Sequence, residues 1–180
     1  MRIVVSGTHA SGKSTLISDF ATRHPEFAVL SDPFELLDES TDAASAASFG
    51  AQLGLSAERL RDPGPPNIVA ERGPVDFLAY LLALDDLGRI TLDDDVIELA
   101  CARSREALAR VDLLVVLPLT AAISVEDDED PRLRAAMDAR LLELIDDPDA
   151  VGDRVVIAEI TGDRSSRLAT LETLVSAQIA

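Results

Sequence analysis

The sequence predicts an α/β fold built on a parallel sheet. Five short apolar runs alternate with segments of helical periodicity along the 180 residues, as strands joined through helices require. The fourth run, Asp112-Leu113-Leu114-Val115-Val116-Leu117, is almost pure Leu and Val, as expected of a strand covered on both faces. Between the first run and the first helical pattern lies Gly7-Thr8-His9-Ala10-Ser11-Gly12-Lys13-Ser14-Thr15, which fits G-x-x-x-x-G-K-[ST] at every fixed position.

The elements follow in order. Arg2-Ile3-Val4-Val5-Ser6 is short, apolar and β-branched, the pattern of a buried parallel strand. Behind the glycine loop, Leu16, Ile17, Phe20 and Ala21 recur at helical spacing. The second run, Phe27-Ala28-Val29-Leu30, leads into Asp32-Pro33-Phe34-Glu35. An Ala/Ser-rich helical segment near 42–60 is stopped by Asp62-Pro63-Gly64-Pro65-Pro66 before the third run, Asn67-Ile68-Val69-Ala70. Gly73-Pro74 opens a helix with proline in its first turn, and Phe77, Leu78, Leu81, Leu82 and Leu84 make it largely buried. Residues 94–110 read as a helix with Val96, Ile97, Leu99 and Leu108 inward. Leu133, Met137, Leu141, Leu144 and Ile145 mark another. The fifth run, Arg154-Val155-Val156-Ile157-Ala158, precedes a last helix on Leu168, Leu171, Leu174, Val175 and Ile179. There is no internal repeat or interdomain linker, so one domain spanning 1–180 is expected.

Composition narrows the partners. With 33 acidic residues against 16 basic, the net charge is −17, which disfavours nucleic acid and anionic membranes. Aromatics are 3% with no Trp, a poor basis for stacking single-stranded bases. Cys101 is alone, leaving no internal disulfide and no cysteine zinc cluster. No apolar run is long enough for a transmembrane helix, and the first strand begins too early to follow a signal peptide. A cytoplasmic setting is expected. The chain has one lysine, Lys13; every other basic side chain is arginine. A slim ammonium can lie along phosphates in a tight loop where a planar guanidinium fits poorly.

The glycine loop is therefore read as a phosphate-binding loop for ATP. Its backbone N–H groups and the following helix N-terminus face the phosphates. Lys13 lies along the β- and γ-phosphates, and the Ser14 hydroxyl is placed to ligate Mg²⁺. In a parallel sheet, chemistry gathers outside the carboxyl ends of the strands. Those ends carry Asp32 and Glu35 after the second run, then Glu71, Arg72 and Asp76 after the third. Arg132 and Arg134 follow the fourth, behind the acid run Glu126-Asp127-Asp128-Glu129-Asp130, and Thr161-Gly162-Asp163 follows the fifth.

This ordered set resembles the P-loop small-molecule kinases, especially nucleoside and nucleotide kinases. The resemblance implies a three-layer P-loop NTPase fold with a five-stranded parallel sheet in the order 2-3-1-4-5. Asp32-Pro33 looks like the acid–proline pair whose carboxylate receives the acceptor hydroxyl proton. Glu71-Arg72 is similar to the family's acid–arginine pair, the acid near metal and acceptor and the arginine on phosphate. Asp76 lies where such kinases often contact the acceptor. Arg132 and Arg134 look like arginines of a lid, about 125–140, that closes over the transferred group. Gly162 and Asp163 resemble the loop that touches adenine through main chain. Three departures from the family pattern stand out: Gly73 where a serine is usual, Asp32 where Glu is commoner, and five acids before the lid.

The expected function is ATP-dependent phosphoryl transfer to a hydroxyl or phosphate of a small, nucleoside-like metabolite, with Mg²⁺ as cofactor. The alternative is a regulatory or motor ATPase, though no apolar run ends in the Asp-Glu pair typical of those machines. A guanine-reading Asn-Lys-x-Asp needs a second lysine, which this chain lacks. Plainer readings stand beside several residues. Asp32-Pro33 starts turns, Asp76 suits the first turn of its helix, Tyr80 either lines the acceptor pocket or packs, and Arg140 suits a solvated helix face. His9 reads as an exposed spacer. The acid run is a solvated, mobile loop or a reader of a cationic acceptor. Oligomeric state is open, a homodimer included.

Overall fold

The computed structural model describes residues 1–36, 45–119 and 130–179. Five strands, β1 (Arg2–Ser6), β2 (Ala28–Leu30), β3 (Ile68–Glu71), β4 (Leu113–Val116) and β5 (Val156–Glu159), form one sheet. Every neighbouring pair is parallel and the order is β2-β3-β1-β4-β5. β1 is therefore central, with Val4 beside Ala70 on one side and Leu114 on the other.

Strand alternation divides the interior into two cores. Ile3, Val5, Val69, Leu113 and Val115 face α1 (Lys13–Arg23) and α7 (Arg164–Ile179), against Leu16, Ile17, Phe20, Leu168, Leu171 and Val175. Val4, Ile68, Ala70, Leu114 and Val116 face the other layer. That layer holds α2 (Ala46–Arg61), α3 (Pro74–Asp86), α4 (Asp94–Leu108), α5 (Pro131–Leu144) and the single turn α6 (Pro148–Val151). Three layers with both sheet faces covered explain why β4 reads as a continuous apolar run.

α3 is apolar on most sides because α2 and α5 both pack on it. α4 departs from expectation: Val96 and Leu99 are exposed, at 47% and 54%, while Ala100, Ser104, Ala107 and Leu108 face inward. The inward stripe is set mostly by small residues; Leu108 lies inward as expected, whereas Val96 and Leu99 were a misleading guide to orientation. The turn of 3₁₀ helix at Pro33–Leu36 and α6 carried no periodic signal. Arg140 is half-exposed and forks onto Asp86 at 2.5 Å, also reaching Glu143 at 2.8 Å, so it is paired rather than simply solvated. Among the described residues, no helix is long and apolar enough to cross a membrane.

Candidate functional site

β1 ends at the sheet centre and the chain turns directly into the glycine loop. Gly7 has φ 147°, and a Cβ there would lie 2.7 Å from the Leu117 carbonyl oxygen, so only glycine permits the loop to press against the end of β4. Gly12, at φ 93°, precedes α1 in the left-handed region and lets the helix start beneath the loop. Ala10 adopts φ 54°, a costlier geometry for a residue with a Cβ.

Lys13 is 3% exposed, and its Nζ donates to the Thr8 carbonyl at 2.7 Å, across the loop. Burial and then the nearby Arg72 guanidinium lower its pKa to about 7; Asp76, Glu71 and Asp32 only partly oppose them. An amine so placed favours an anion in the loop, because an incoming negative charge removes the penalty on its protonated form. His9 and Ala10 are exposed, whereas Thr8 and Ser11 are buried.

Glu71 and Arg72, adjacent in sequence, diverge. Arg72 has φ 65°, which breaks the strand's alternation. The Glu71 carboxylate accepts from the Ser14 hydroxyl at 2.8 Å at the exposed mouth of the loop. Arg72 turns inward to 6% exposure, donating from Nε to Asp32 at 2.7 Å and from Nη1 to the Gly7 carbonyl at 3.1 Å. Its guanidinium sits 5.6 Å from the Tyr80 ring centroid. Burial alone would lower its pKa, but Tyr80, Asp32 and Asp76 together hold it above the ordinary guanidinium value. Asp32 thus reaches the loop through Arg72. Glu35 is exposed on the 3₁₀ turn.

Asp76 differs from the expected acceptor contact. It is fully enclosed and fastens the loop from below. Its carboxylate accepts from the Ser6 hydroxyl at 2.5 Å, the Gly7 amide at 2.9 Å and the Gly73 amide at 2.8 Å. Burial raises its pKa, and Arg72, Ser6, Gly7 and Gly73 act against that rise. The buried Gly73 position is part of the same joint and is tight, since a Cβ there would meet Val4 at 3.0 Å. Tyr80 both packs and points at the loop: its ring stacks on Phe49 at 4.5 Å and its hydroxyl accepts from the His9 amide at 3.3 Å.

The two expected lid arginines separate. Arg134 is 6% exposed and donates from Nε to the His9 carbonyl at 3.1 Å, already against the loop. Arg132 is exposed on the first turn of α5. Asp130, last of the acid run, caps α5 by accepting from the Arg132 and Leu133 amides at 2.9 and 3.2 Å, and it pairs with Arg89. Of the segment 125–134 expected to be mobile, 125–129 lie outside the described residues, whereas 131–134 form the first turn of α5 with Arg134 buried. Asp163 caps α7, accepting from the Ser166 amide at 2.8 Å, and these hydrogen bonds hold its pKa down to about 2. Gly162, at φ 104°, makes the turn before it. An open groove of about 430 Å³ beside this turn is lined by Asp19, Thr22, Arg23 and Arg164 rather than by the loop.

Two features were not anticipated. Arg167 of α7, 8% exposed, donates from Nη1 to the Ser11 carbonyl at 2.7 Å and props the loop from the sheet's other face. No local pattern marks it. Ser48, Gln52 and Ser56 form a buried polar stripe on α2, with the Gln52 amide donating to Ser48 at 2.9 Å and Ser56 donating to the Arg72 carbonyl at 3.5 Å. Their spacing of four was a readable signal.

No family model matches the sequence, and no curated protein is similar enough to match it. Solved structures do match. Deoxyadenosine kinase from M. mycoides with bound dATP superposes with a TM-score of 0.71 at 13% identity, over 98% of this chain and 100% of that one. The same kinase with products dCMP and a flexible dCDP gives 0.72 at 13% identity, over 98% and 99%. Thymidylate kinase from Candida albicans gives 0.64 at 18% identity, over 97% and 90%. At such identities the likeness is one of fold, and the fold is the P-loop fold that these nucleoside and nucleotide kinases share.

Proposed function

We propose that this chain is an ATP-dependent phosphotransferase acting on a small, nucleoside-like acceptor. The observation that carries this reading is the pairing around one loop. The sole lysine is folded into the loop, Ser14 and Glu71 meet at its mouth, and Asp32 and Arg72 meet beneath it. A strand-end carboxylate by itself would also serve ATP hydrolysis; the second one, Asp32 at the end of β2 and paired with Arg72, is what favours an acceptor.

The donor set suits Mg²⁺. One hydroxyl and one carboxylate, 2.8 Å apart at an exposed position, are what a cation needs when it keeps several waters and takes its other oxygens from phosphates. Ser14 and Glu71 would hold it, and when bound it neutralises charge on the β- and γ-phosphate oxygens. The chain's own residues do the rest. Loop amides and Lys13 bind and orient the triphosphate. Arg72 and Arg134 bring positive charge toward the oxygens of the group in flight, and Arg132 joins them from the start of α5. The acceptor oxygen bonds to the γ-phosphorus as the bond to the β–γ bridging oxygen breaks. ADP leaves with that electron pair, and Asp32 receives any acceptor proton. The Gly162–Asp163 turn meets adenine through its backbone.

The test is an acceptor screen read by ADP release and by appearance of phosphorylated product, with Mg²⁺ or with chelator. Product formation that needs both acceptor and Mg²⁺ and is lost in Lys13→Ala supports the reading. ADP release at one rate regardless of acceptor, with no phosphorylated product, would make the protein an ATPase.

A further inference from the structure

We infer that the group phosphorylated here is an uncharged hydroxyl, and that phosphomonoesters of the same acceptor are rejected. This rests on the kinase reading above and decides between the two acceptor types it leaves open, one of the similar structures being named for a nucleoside and the other for a nucleotide.

The cations beside the acceptor side of the cleft carry this inference. All sixteen lysine and arginine side chains belong to described residues, because segments 37–44 and 120–129 contain neither residue type. A phosphomonoester brings roughly 1.5 to 2 negative charges and three strong acceptor oxygens, and proteins meet such a group with arginine forks or lysine. At the ends of β2 and β3, where the acceptor side of the cleft lies, the cations are Arg59 and Arg72. Arg59 donates to the Ser31 carbonyl at 2.7 Å. Arg72 is bound to Asp32 at 2.7 Å, with Asp76 at 3.9 Å, and is nearly sealed from solvent. Against these two stand Asp32 and Glu35, and Asp32 already holds Arg72, so this side carries no surplus positive charge.

The two other buried arginines at the loop hold its backbone. Arg134 reaches the His9 carbonyl and Arg167 the Ser11 carbonyl, both on the donor's loop. A phosphomonoester seated on the acceptor side would have to draw Arg72 away from Asp32, leaving that carboxylate beside a dianion. A hydroxyl asks for no such exchange. It brings no charge, it can donate to Asp32, and the neighbouring face of α2 supplies neutral polar groups in Ser48, Gln52 and Ser56. Specificity of this kind works through repulsion as much as attraction.

The test compares initial rates for a nucleoside and its 5′-monophosphate with saturating MgATP, in wild type and in Asp32→Asn. The nucleoside is expected to show a kcat/KM at least about a hundredfold higher in wild type, the ratio by which an enzyme discriminates. In Asp32→Asn that ratio should fall tenfold or more, because rates on the hydroxyl drop while the released Arg72 tolerates the phosphate. Should Asp32→Asn melt early or fail to bind ADP, Glu35→Gln takes its place: it removes one exposed acceptor-side charge, and the same ratio should fall by a smaller factor. A wild-type enzyme that phosphorylates the monophosphate as well as the nucleoside overturns the inference and leaves the kinase reading intact. Transfer to neither acceptor class, with ADP still binding, overturns the kinase reading and the inference together.

Discussion

Nucleotide binding should take up a proton, and the group that takes it is Lys13. In the free protein its ammonium is 3% exposed and its pKa is lowered from 10.5 to about 7, by burial first and then by Arg72. A gap of that size corresponds to roughly 5 kcal/mol of penalty on the charged amine, which phosphate oxygens in the loop would offset. At pH 8 only ~10% of the free loops would carry the proton, and a bound nucleotide would hold nearly all of them charged. The expected uptake is therefore close to one proton per site at pH 8 and smaller as the pH falls toward 7. Calorimetric titration with ADP in two buffers of different ionisation enthalpy reads this number directly. The free protein shows the same linkage from the other side. Its folded state binds fewer protons than the unfolded chain between about pH 7 and 10.5, so this group makes stability rise with pH across that window. Binding enthalpies at pH 8 that do not depend on the buffer would show that Lys13 is already charged in the empty loop, and the electrostatic reading of the site would be wrong.

Other outcomes follow from the same contacts. Lys13→Arg should lose most turnover with the fold intact in a thermal melt, since the buried space across to Thr8 suits an ammonium and not a fork. Arg72→Ala should cost about a hundredfold or more in kcat, as loss of transition-state charge stabilisation does; single-turnover kinetics check this, and near-normal turnover would remove Arg72 from the chemistry. Asp76→Ala strands the Ser6 hydroxyl and two buried amides, so denaturant titration should show a loss of about 2–5 kcal/mol. Arg167→Ala should weaken ADP binding more than it lowers kcat, because its contact is to the loop backbone at Ser11; unchanged Kd would reduce it to a packing residue.

The parts of this protein that could be read in advance are those whose physics is local. A strand of β-branched residues, a loop with glycine at positions 7 and 12, and a helix behind it leave little freedom, and β1, the loop and α1 stand as expected. The ends of β2 and β3 were legible as places where carboxylates and an arginine would gather. Asp76 was harder, because a carboxylate at the third position of a helix looks the same whether it faces solvent or a loop. Only the tertiary fact that β1 ends beneath α3 turns it inward. Arg167 was out of reach, since its partner Ser11 lies 156 residues away and nothing around Arg167 itself distinguishes it from any other helix arginine. On α4 the inward face is made by Ala100, Ser104 and Ala107 together with Leu108, and a reading that followed Val96 and Leu99 took exposed residues for buried ones.

The left-handed backbone at Arg72 has an effect on how this site can vary over generations. In an ordinary strand two successive side chains occupy opposite sides of the sheet and could not both serve one cleft. Here the bend at φ 65° sends Glu71 to the mouth of the loop and Arg72 beneath it. Two neighbouring codons thus supply both the carboxylate that meets Ser14 and the guanidinium that meets Gly7 and Asp32. The conformation itself is one that glycine would adopt with less strain. Drift toward glycine at position 72 would relax the chain while erasing the guanidinium. Arginine kept at this position among relatives would be the mark of selection for turnover rather than for stability.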